Sequence, residues 1–220
     1  MSLDKIITLE ESYKIKVSTV KSFYKECVNS ELIELFNFFS FSDDIAESAS
    51  GCYIYTKDGK KILDITGGIG VLNHGHNHPE ILKARIDYQT KSKMEVHKNY
   101  LSPLYASLAK NMKSITPADL EYSFFPSSGS EAVEGCLKMA YKYCNENHKK
   151  PKRDIVIHAK ESFHGKLFGS GSVTGSPELN YKFPKPFKTD TFNRENKSQV
   201  IKLINKYKYK NKSNIFAIIY

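Results

Sequence analysis

Apolar residues in this chain recur at helical spacing in some stretches and gather into short unbroken runs in others. Val133, Leu137, Ala140 and Cys144 share one helical face, and Leu104, Leu108, Met112 and Ile115 share another. Amphipathic helices are therefore predicted after residue 128 and after Ser102-Pro103, each presenting that face inward. A further helix is predicted from Pro79 to about residue 97, because proline is well tolerated in a first helical turn, and another over 197–207. Residues 1 to about 50 read as helical and peripheral, with apolar clusters at Leu32-Ile33 and Leu35-Phe36. The unbroken runs Ile155-Val156-Ile157 and Ile215-Phe216-Ala217-Ile218-Ile219 are those of buried strands, and Glu121-Tyr122-Ser123-Phe124-Phe125 reads as a shorter one. Cys52-Tyr53-Ile54-Tyr55 and Ile62-Leu63-Asp64-Ile65 flank Lys57-Asp58-Gly59-Lys60, and Asp-Gly between β-favouring runs predicts a hairpin.

A strand–helix–strand unit over 121–158 packs most naturally as a parallel sheet flanked by helices. The expected class is α/β: a partial doubly wound sheet with an N-terminal helical and hairpin segment. Three regions are expected: a helical segment over 1–50; the hairpin and a glycine-rich loop leading to a helix over 51–98; and the first part of a larger α/β domain over 99–220. Between its strands that domain carries a Gly/Ser-rich loop over 162–176 and a polar connection over 177–196. The chain stops on an apolar strand, whereas natural ends usually fray at the surface, so the polypeptide is expected to continue past Tyr220.

Composition narrows the class of function. The net charge of +9 is uneven, with 18 Lys and Arg against 6 Asp and Glu from Lys138 onward and 15 against 18 before it. A basic half raises nucleic-acid binding. However, Lys149-Lys150, Lys206, Lys208, Lys210 and Lys212 are dispersed and belong to no binding motif, so a solvated surface is the reading adopted. No apolar run is long enough to span a membrane, and residues 1–11 lack a signal-peptide core. Cys27, Cys52, Cys136 and Cys144 form no C-x-x-C pair, which points to reduced thiols and a cytoplasmic setting.

The densest chemistry lies at Ser127-Ser128-Gly129-Ser130-Glu131. Ser128 and Glu131 fit a capping box, Gly129 permits a sharp turn, and the first amides of a helix favour an anion. An ordinary capped helix has the same pattern, so the stretch alone does not decide between them. His74, His76 and His78 alternate and would share one face of an extended segment, but no cysteine or nearby acid accompanies them, and a metal site is not assigned. Gly68-Ile69-Gly70 and Gly169-Ser170-Gly171 do not complete a dinucleotide-binding loop.

Three blocks change that balance. Tyr55-Thr56-Lys57-Asp58-Gly59-Lys60-Lys61-Ile62-Leu63-Asp64 runs on through Gly67-Gly68-Ile69-Gly70 to His74-Gly75-His76-Asn77-His78-Pro79. The second is Ser123-Phe124-Phe125-Pro126-Ser127-Ser128-Gly129-Ser130-Glu131-Ala132-Val133-Glu134, and the third Ser162-Phe163-His164-Gly165-Lys166. In order and spacing they resemble class III pyridoxal-phosphate-dependent aminotransferases, the group that includes acetylornithine, ornithine, 4-aminobutyrate and putrescine aminotransferases. The stretch 101–138 most resembles the putrescine branch. The resemblance implies fold type I, pyridoxal 5'-phosphate as cofactor, an amine donor and a 2-oxo acid acceptor, and a homodimer with loop 67–78 facing the substrate region or the partner chain. Gly129 and Ser130 would hold the phosphate with Ser128 close by, and Phe163 would lie on the pyridine ring. His164 would order the loop or border the ring, and Gly165 would let the loop pass close. Glu134 would either anchor these loops or face solvent, and Phe163 alone could equally be a core aromatic.

The resemblance also implies a Schiff-base lysine and an aspartate at the pyridine nitrogen. Both are expected beyond Tyr220, and no catalytic residue is assigned within this sequence. A truncated, non-catalytic relative acting as a binding or interaction protein is the alternative reading.

Overall fold

The computed structural model describes residues 6–96, 99–117, 120–147, 152–176, 183–210 and 212–220. The chain divides into two compact units, Met1–Tyr100 and Leu101–Tyr220; residue 97, where the Pro79 helix is expected to end, and the pair Lys149 and Lys150 fall outside the described residues.

The first unit opens with α1 (Leu9–Ser12), α2 (Val17–Phe23) continued by a π-helical turn at Tyr24–Val28, and α3 (Ser30–Phe38). Asn29 starts α3, its Oδ1 accepting the amides of Glu31 and Leu32 at 2.9 and 3.2 Å. The predicted hairpin is present as β2 (Tyr53–Thr56) and β3 (Lys61–Leu63), with Ile54 opposite Ile62. A strand not expected from the pattern, β1 (Ala46–Ser50), pairs antiparallel with β2. Its sequence, Ala-Glu-Ser-Ala-Ser, has no apolar alternation, so the reading of residues up to 50 as helical is corrected at its end. Next come the one-turn α4 (Gly67–Gly70) and α5 (Pro79–Thr90), which ends earlier than the predicted 97.

Asp64 holds the glycine-rich loop together. Its Oδ1 accepts the amides of Thr66 and Gly67 at 2.9 and 3.0 Å and the Thr66 hydroxyl at 2.7 Å. Its Oδ2 lies 2.8 Å from His76 Nε2, and a two-way backbone bridge joins His76 to Gly51. His76 therefore partners an acid twelve residues upstream, not its neighbouring histidines, and among the described residues no cluster of three His, Cys, Asp or Glu side chains could hold a metal ion. Within this loop Ile69 has φ 62° and is 95% exposed, an unusual backbone for a β-branched residue.

The second unit is built on a parallel sheet of order β5-β4-β8, from β4 (Ile155–Ala159), β5 (Lys188–Phe192) and β8 (Ile215–Ile219). Central β4 is buried throughout, as a parallel strand covered on both faces should be. Val156 packs with Leu137, Val173 and Phe216 beneath α7 (Gly129–Asn147). Ile155, Ile157 and Ile215 pack with Val200, Leu203 and Ile204 of α9 (Lys197–Lys206). The predicted α7 face holds, since Val133, Ala140 and Cys144 join Leu137 there. Between Ile215 and Ala217 the register with β4 slips by one residue. This β-bulge lets Phe216 and Ala217 both join the α7-side cluster, where Phe216 meets Tyr141 and Phe187 edge-on at 5.3 and 5.5 Å. The unit is completed by α6 (Pro103–Ile115), the short α8 (Phe168–Ser172) and the two-residue strands β6 (Lys208–Tyr209) and β7 (Lys212–Ser213).

Three expectations are corrected here. Residues 121–125 form no strand, because no strand among the described residues runs beside them. Instead Phe125 stands edge-on to Tyr105 of α6 and Phe124 packs over Gly135 of α7. The span 177–196 is not wholly a connection, since β5 occupies its second half. Lastly, the α6 face bearing Leu104, Leu108 and Ile115 is exposed, not turned inward.

β5 is polar because its side chains find polar partners. Burial alone pushes the Asp190 carboxyl up, but the Lys206 ammonium and Tyr207 hydroxyl, each 2.8 Å away, outweigh it and hold the group below its ordinary range. Among the described residues no helix is long and apolar enough to cross a membrane.

The Asp64 carboxyl is also held well below the usual carboxylate range, first by His76, then by the Thr66 hydroxyl and the amides of Thr66 and Gly67. A depressed carboxyl contributes stability that is fully present above its unfolded value, about 4, and is lost as pH falls through the folded value. We expect Asp64→Asn to lower the thermal midpoint at pH 7, with the gap to wild type closing as pH drops below about 4. Melts from pH 7 to 2 check this, and a gap independent of pH would contradict it.

Candidate functional site

The start of α7 carries an asymmetric cap. Ser128 Oγ accepts the Glu131 amide at 3.2 Å and Ser128 O accepts the Ala132 amide at 3.0 Å, so Ser128 is the cap residue. The Glu131 carboxylate reaches back to the amide of Ser127 at 2.8 Å, not to that of Ser128 as a capping box requires. The amides of Ser128, Gly129 and Ser130 consequently have no acceptor among the described residues, and the Ser130 hydroxyl has no partner either. The bend is open: Ser128 and Gly129 are exposed, and a Cβ added at Gly129 would meet nothing within 4 Å.

The 162–176 loop lies directly against this bend. Gly165 has φ 125°, and a Cβ there would fall 2.4 Å from Ser130 Oγ. No side chain fits, so the loop backbone touches the cradle helix because residue 165 is glycine. Glu134 makes the second joint. Its Oε1 accepts the amides of Gly169 at 2.7 Å and Ser170 at 2.8 Å, which places a carboxylate on the N-terminus of α8 where an anion is favoured. Gly169 is tight for the same reason, since its Cβ would lie 2.4 Å from Glu134 Oε2. Of the two readings of Glu134, anchoring the loops is the one observed; the residue sits in the second turn of α7.

Of the predicted residues, Ser128, Gly129 and Ser130 line the bend, and Gly165, next to His164 and Phe163, touches Ser130. The Phe163 ring is 62% exposed and makes no ring contact among the described residues, which excludes the core-aromatic reading. His164 is half-buried, and its Nε2 is fully buried without a hydrogen-bond partner. Burial, and then the charge of Arg194, push its imidazole below the ordinary value; burial does the same to His158 on β4. Both rings are therefore neutral at pH 7 and bring no charge to the site. Sequence reasoning missed Thr174, whose buried hydroxyl organises this loop; in the sequence it is one small hydroxyl among several.

Chemically, this arrangement offers backbone donors and a hydroxyl for an anion beside an uncovered aromatic face. A phosphorylated planar ring matches that donor set.

The family model described as "Aminotransferase class-III" matches residues 42–220. The chain belongs to the class III aminotransferase family. It is 36% identical over 145 residues to a succinylornithine transaminase of Photorhabdus laumondii, covering 66% of this chain and 35% of that protein. To a putrescine aminotransferase of Pectobacterium atrosepticum it is 37% identical over 129 residues, covering 59% of this chain and 26% of that one. Among solved structures, the adenosylmethionine-8-amino-7-oxononanoate aminotransferase of Methanocaldococcus jannaschii superposes with a TM-score of 0.78 at 27% identity, over 92% of this chain and 46% of that one. The chain thus spans about a quarter to a third of the length of these two relatives and just under half of that structure. Class III aminotransferases are pyridoxal-phosphate-dependent enzymes of fold type I, and the α/β fold expected from the sequence is the one observed.

Two substitutions test the joints of this family member. Gly165→Ala forces a Cβ onto Ser130 at an unfavourable φ and should destabilise the second unit by about 2 kcal/mol or more. Glu134→Ala strands the Gly169 and Ser170 amides and should cost about 2 kcal/mol, with Glu134→Gln recovering part of it through its remaining carbonyl. Urea unfolding measures both, and shifts under about 0.5 kcal/mol, the usual range for inert surface changes, would count against the joints.

Proposed function

We propose that this chain supplies the phosphate-and-ring side of a pyridoxal-phosphate-dependent transaminase, which moves an amino group from an amine or ω-amino acid to a 2-oxo acid. The observation that carries the reading is the open bend at 128–130, whose amides and Ser130 hydroxyl lack partners among the described residues, beside an uncovered Phe163. The names of the two relatives direct the donor to a diamine or ornithine-like compound. The full enzyme acts as a cytoplasmic homodimer, with loop 67–78 turned to the substrate region or the partner chain.

Ser128, Gly129 and Ser130 would grip the cofactor phosphate, aided by the helix dipole of α7. Phe163 would stack on the pyridine ring, and the neutral His164 would border it without adding charge. Glu134 would keep the aromatic loop in register with the phosphate cradle. When bound, pyridoxal phosphate supplies an aldehyde and a ring that takes up electrons from the bond broken at the amine carbon. We assign the amine that captures the aldehyde to none of this chain's lysines.

The 220-residue chain is therefore expected to bind pyridoxal phosphate without a covalent bond and to show no transaminase turnover. Ser130→Ala, which removes no hydrogen bond among the described residues, should leave stability within about 0.5 kcal/mol and weaken cofactor binding about tenfold, or roughly 1.4 kcal/mol. Fluorescence titration and urea unfolding read the two quantities. A stoichiometric lysine adduct fixed by borohydride, or unchanged affinity in Ser130→Ala, would overturn the assignment.

A further inference from the structure

We infer that Thr174 is the positioning residue that holds the Phe163–Gly165 turn in shape for the ring of a bound pyridoxal phosphate, an inference that rests on the reading above. Thr174 is fully buried, 0% exposed, at the far end of the Gly/Ser-rich loop. Its Oγ1 accepts the His164 amide at 3.0 Å. The same hydroxyl lies 2.8 Å from Gly165 O and 3.2 Å from Ser170 O, and its one proton goes to the nearer carbonyl, that of Gly165. One hydroxyl thereby ties the peptide group before His164 to the one after Gly165, accepting from the first and donating to the second.

This clamp works where the loop has least freedom of its own. Gly165, at φ 125°, lies against Ser130, and its carbonyl accepts the Thr174 hydroxyl. Phe163 precedes the clamped pair by one residue, so its backbone is placed by the same two bonds. The neighbouring hydroxyls are used elsewhere: Ser162 donates to Ala159 O at 2.7 Å, Ser170 accepts the Leu167 amide at 3.2 Å, and Gly175 N bonds Ser162 O at 2.7 Å to close the loop. The phosphate cradle does not depend on Thr174, because the Ser128–Glu131 cap and the Glu134 anchor are made without it. Thr174 therefore acts on the ring and not on the phosphate.

The test compares Thr174→Val, which keeps shape and removes the hydroxyl, with Thr174→Ser, which keeps the hydroxyl. Two readouts are needed: affinities for pyridoxal phosphate, pyridoxal and inorganic phosphate, and hydrogen exchange of the His164 amide without cofactor. Thr174→Val should weaken pyridoxal phosphate and pyridoxal by about the same tenfold while leaving inorganic phosphate unchanged, and should speed His164 exchange at least tenfold. Thr174→Ser should match wild type in every measurement. Unchanged ring affinity and exchange in Thr174→Val, equal loss of inorganic phosphate, or Thr174→Ser as impaired as Thr174→Val would each overturn the inference. If Thr174→Val does not fold, the serine variant decides by whether it keeps wild-type affinity and a protected His164 amide. If wild type binds no pyridoxal phosphate, the cofactor assignment fails, and the exchange readout still decides the clamp.

Discussion

Two helix N-termini meet in the second unit, and one carboxylate divides them into a filled site and an open one. Both α7 and α8 begin with backbone donors that have no partner inside the helix. Glu134, rising from α7, gives its Oε1 to the first amides of α8 and satisfies them within the protein. α7 receives no such anion, because Glu131 reaches past Ser128 to the amide of Ser127. The donors of Ser128, Gly129 and Ser130 are left facing outward. Interactions of this kind are worth about 1.5–3 kcal/mol per charged hydrogen bond, so the α8 end is tied within the protein, whereas the α7 end keeps donors without acceptors among the described residues. Every other feature of the site is arranged around that difference.

The sheet explains why the open end lies near an aromatic loop. β4 is the central strand, buried on both faces, and its carboxyl end runs directly into the turn at 160–166. In open α/β sheets ligands collect beyond the carboxyl ends of parallel strands. Phe163, His164 and Gly165 are there because β4 delivers them. The bulge at Phe216 turns that ring beneath α7, where it meets Tyr141 and Phe187 edge-on.

Much of this was readable from residue pattern because the decisive elements are apolar or glycine-dependent. Ile155-Val156-Ile157 and Ile215-Phe216 could only be buried strands, and Leu137 with its helical neighbours could only face them. Order and spacing of the three blocks carried the family. What escaped notice was polar structure stabilised at a distance. β5 reads as connection because Lys188, Thr189, Asp190 and Thr191 show no apolar period; Asp190 becomes strand-compatible only once Lys206 and Tyr207 of the α9 end reach it. β1 escaped for the same reason, its small polar residues pairing with the stronger β2. The stretch 121–125 failed in the opposite sense: its aromatics promised a strand, yet they pack on Tyr105 and Gly135 because no neighbouring strand offers a ladder. Within the site, Glu134 could be proposed from its place on α7, whereas Thr174 could not, since nothing local separates a clamping hydroxyl from a solvated one.

The glycines of the site are not equivalent, and their difference separates structure from ligand. A side chain at Gly165 or Gly169 would collide with Ser130 or Glu134 at 2.4 Å, so those positions are explained by protein packing alone. At Gly129 a Cβ would meet no atom at all, and its backbone does not lie in the left-handed region. Neither sterics nor dihedral strain within the chain requires glycine there. A residue small for no internal reason, at the centre of three amides without acceptors among the described residues, fits the proposed close approach of a ligand. The proposed phosphate seated on those amides would supply that reason, and it would also use the Ser130 hydroxyl, which has no partner among the described residues.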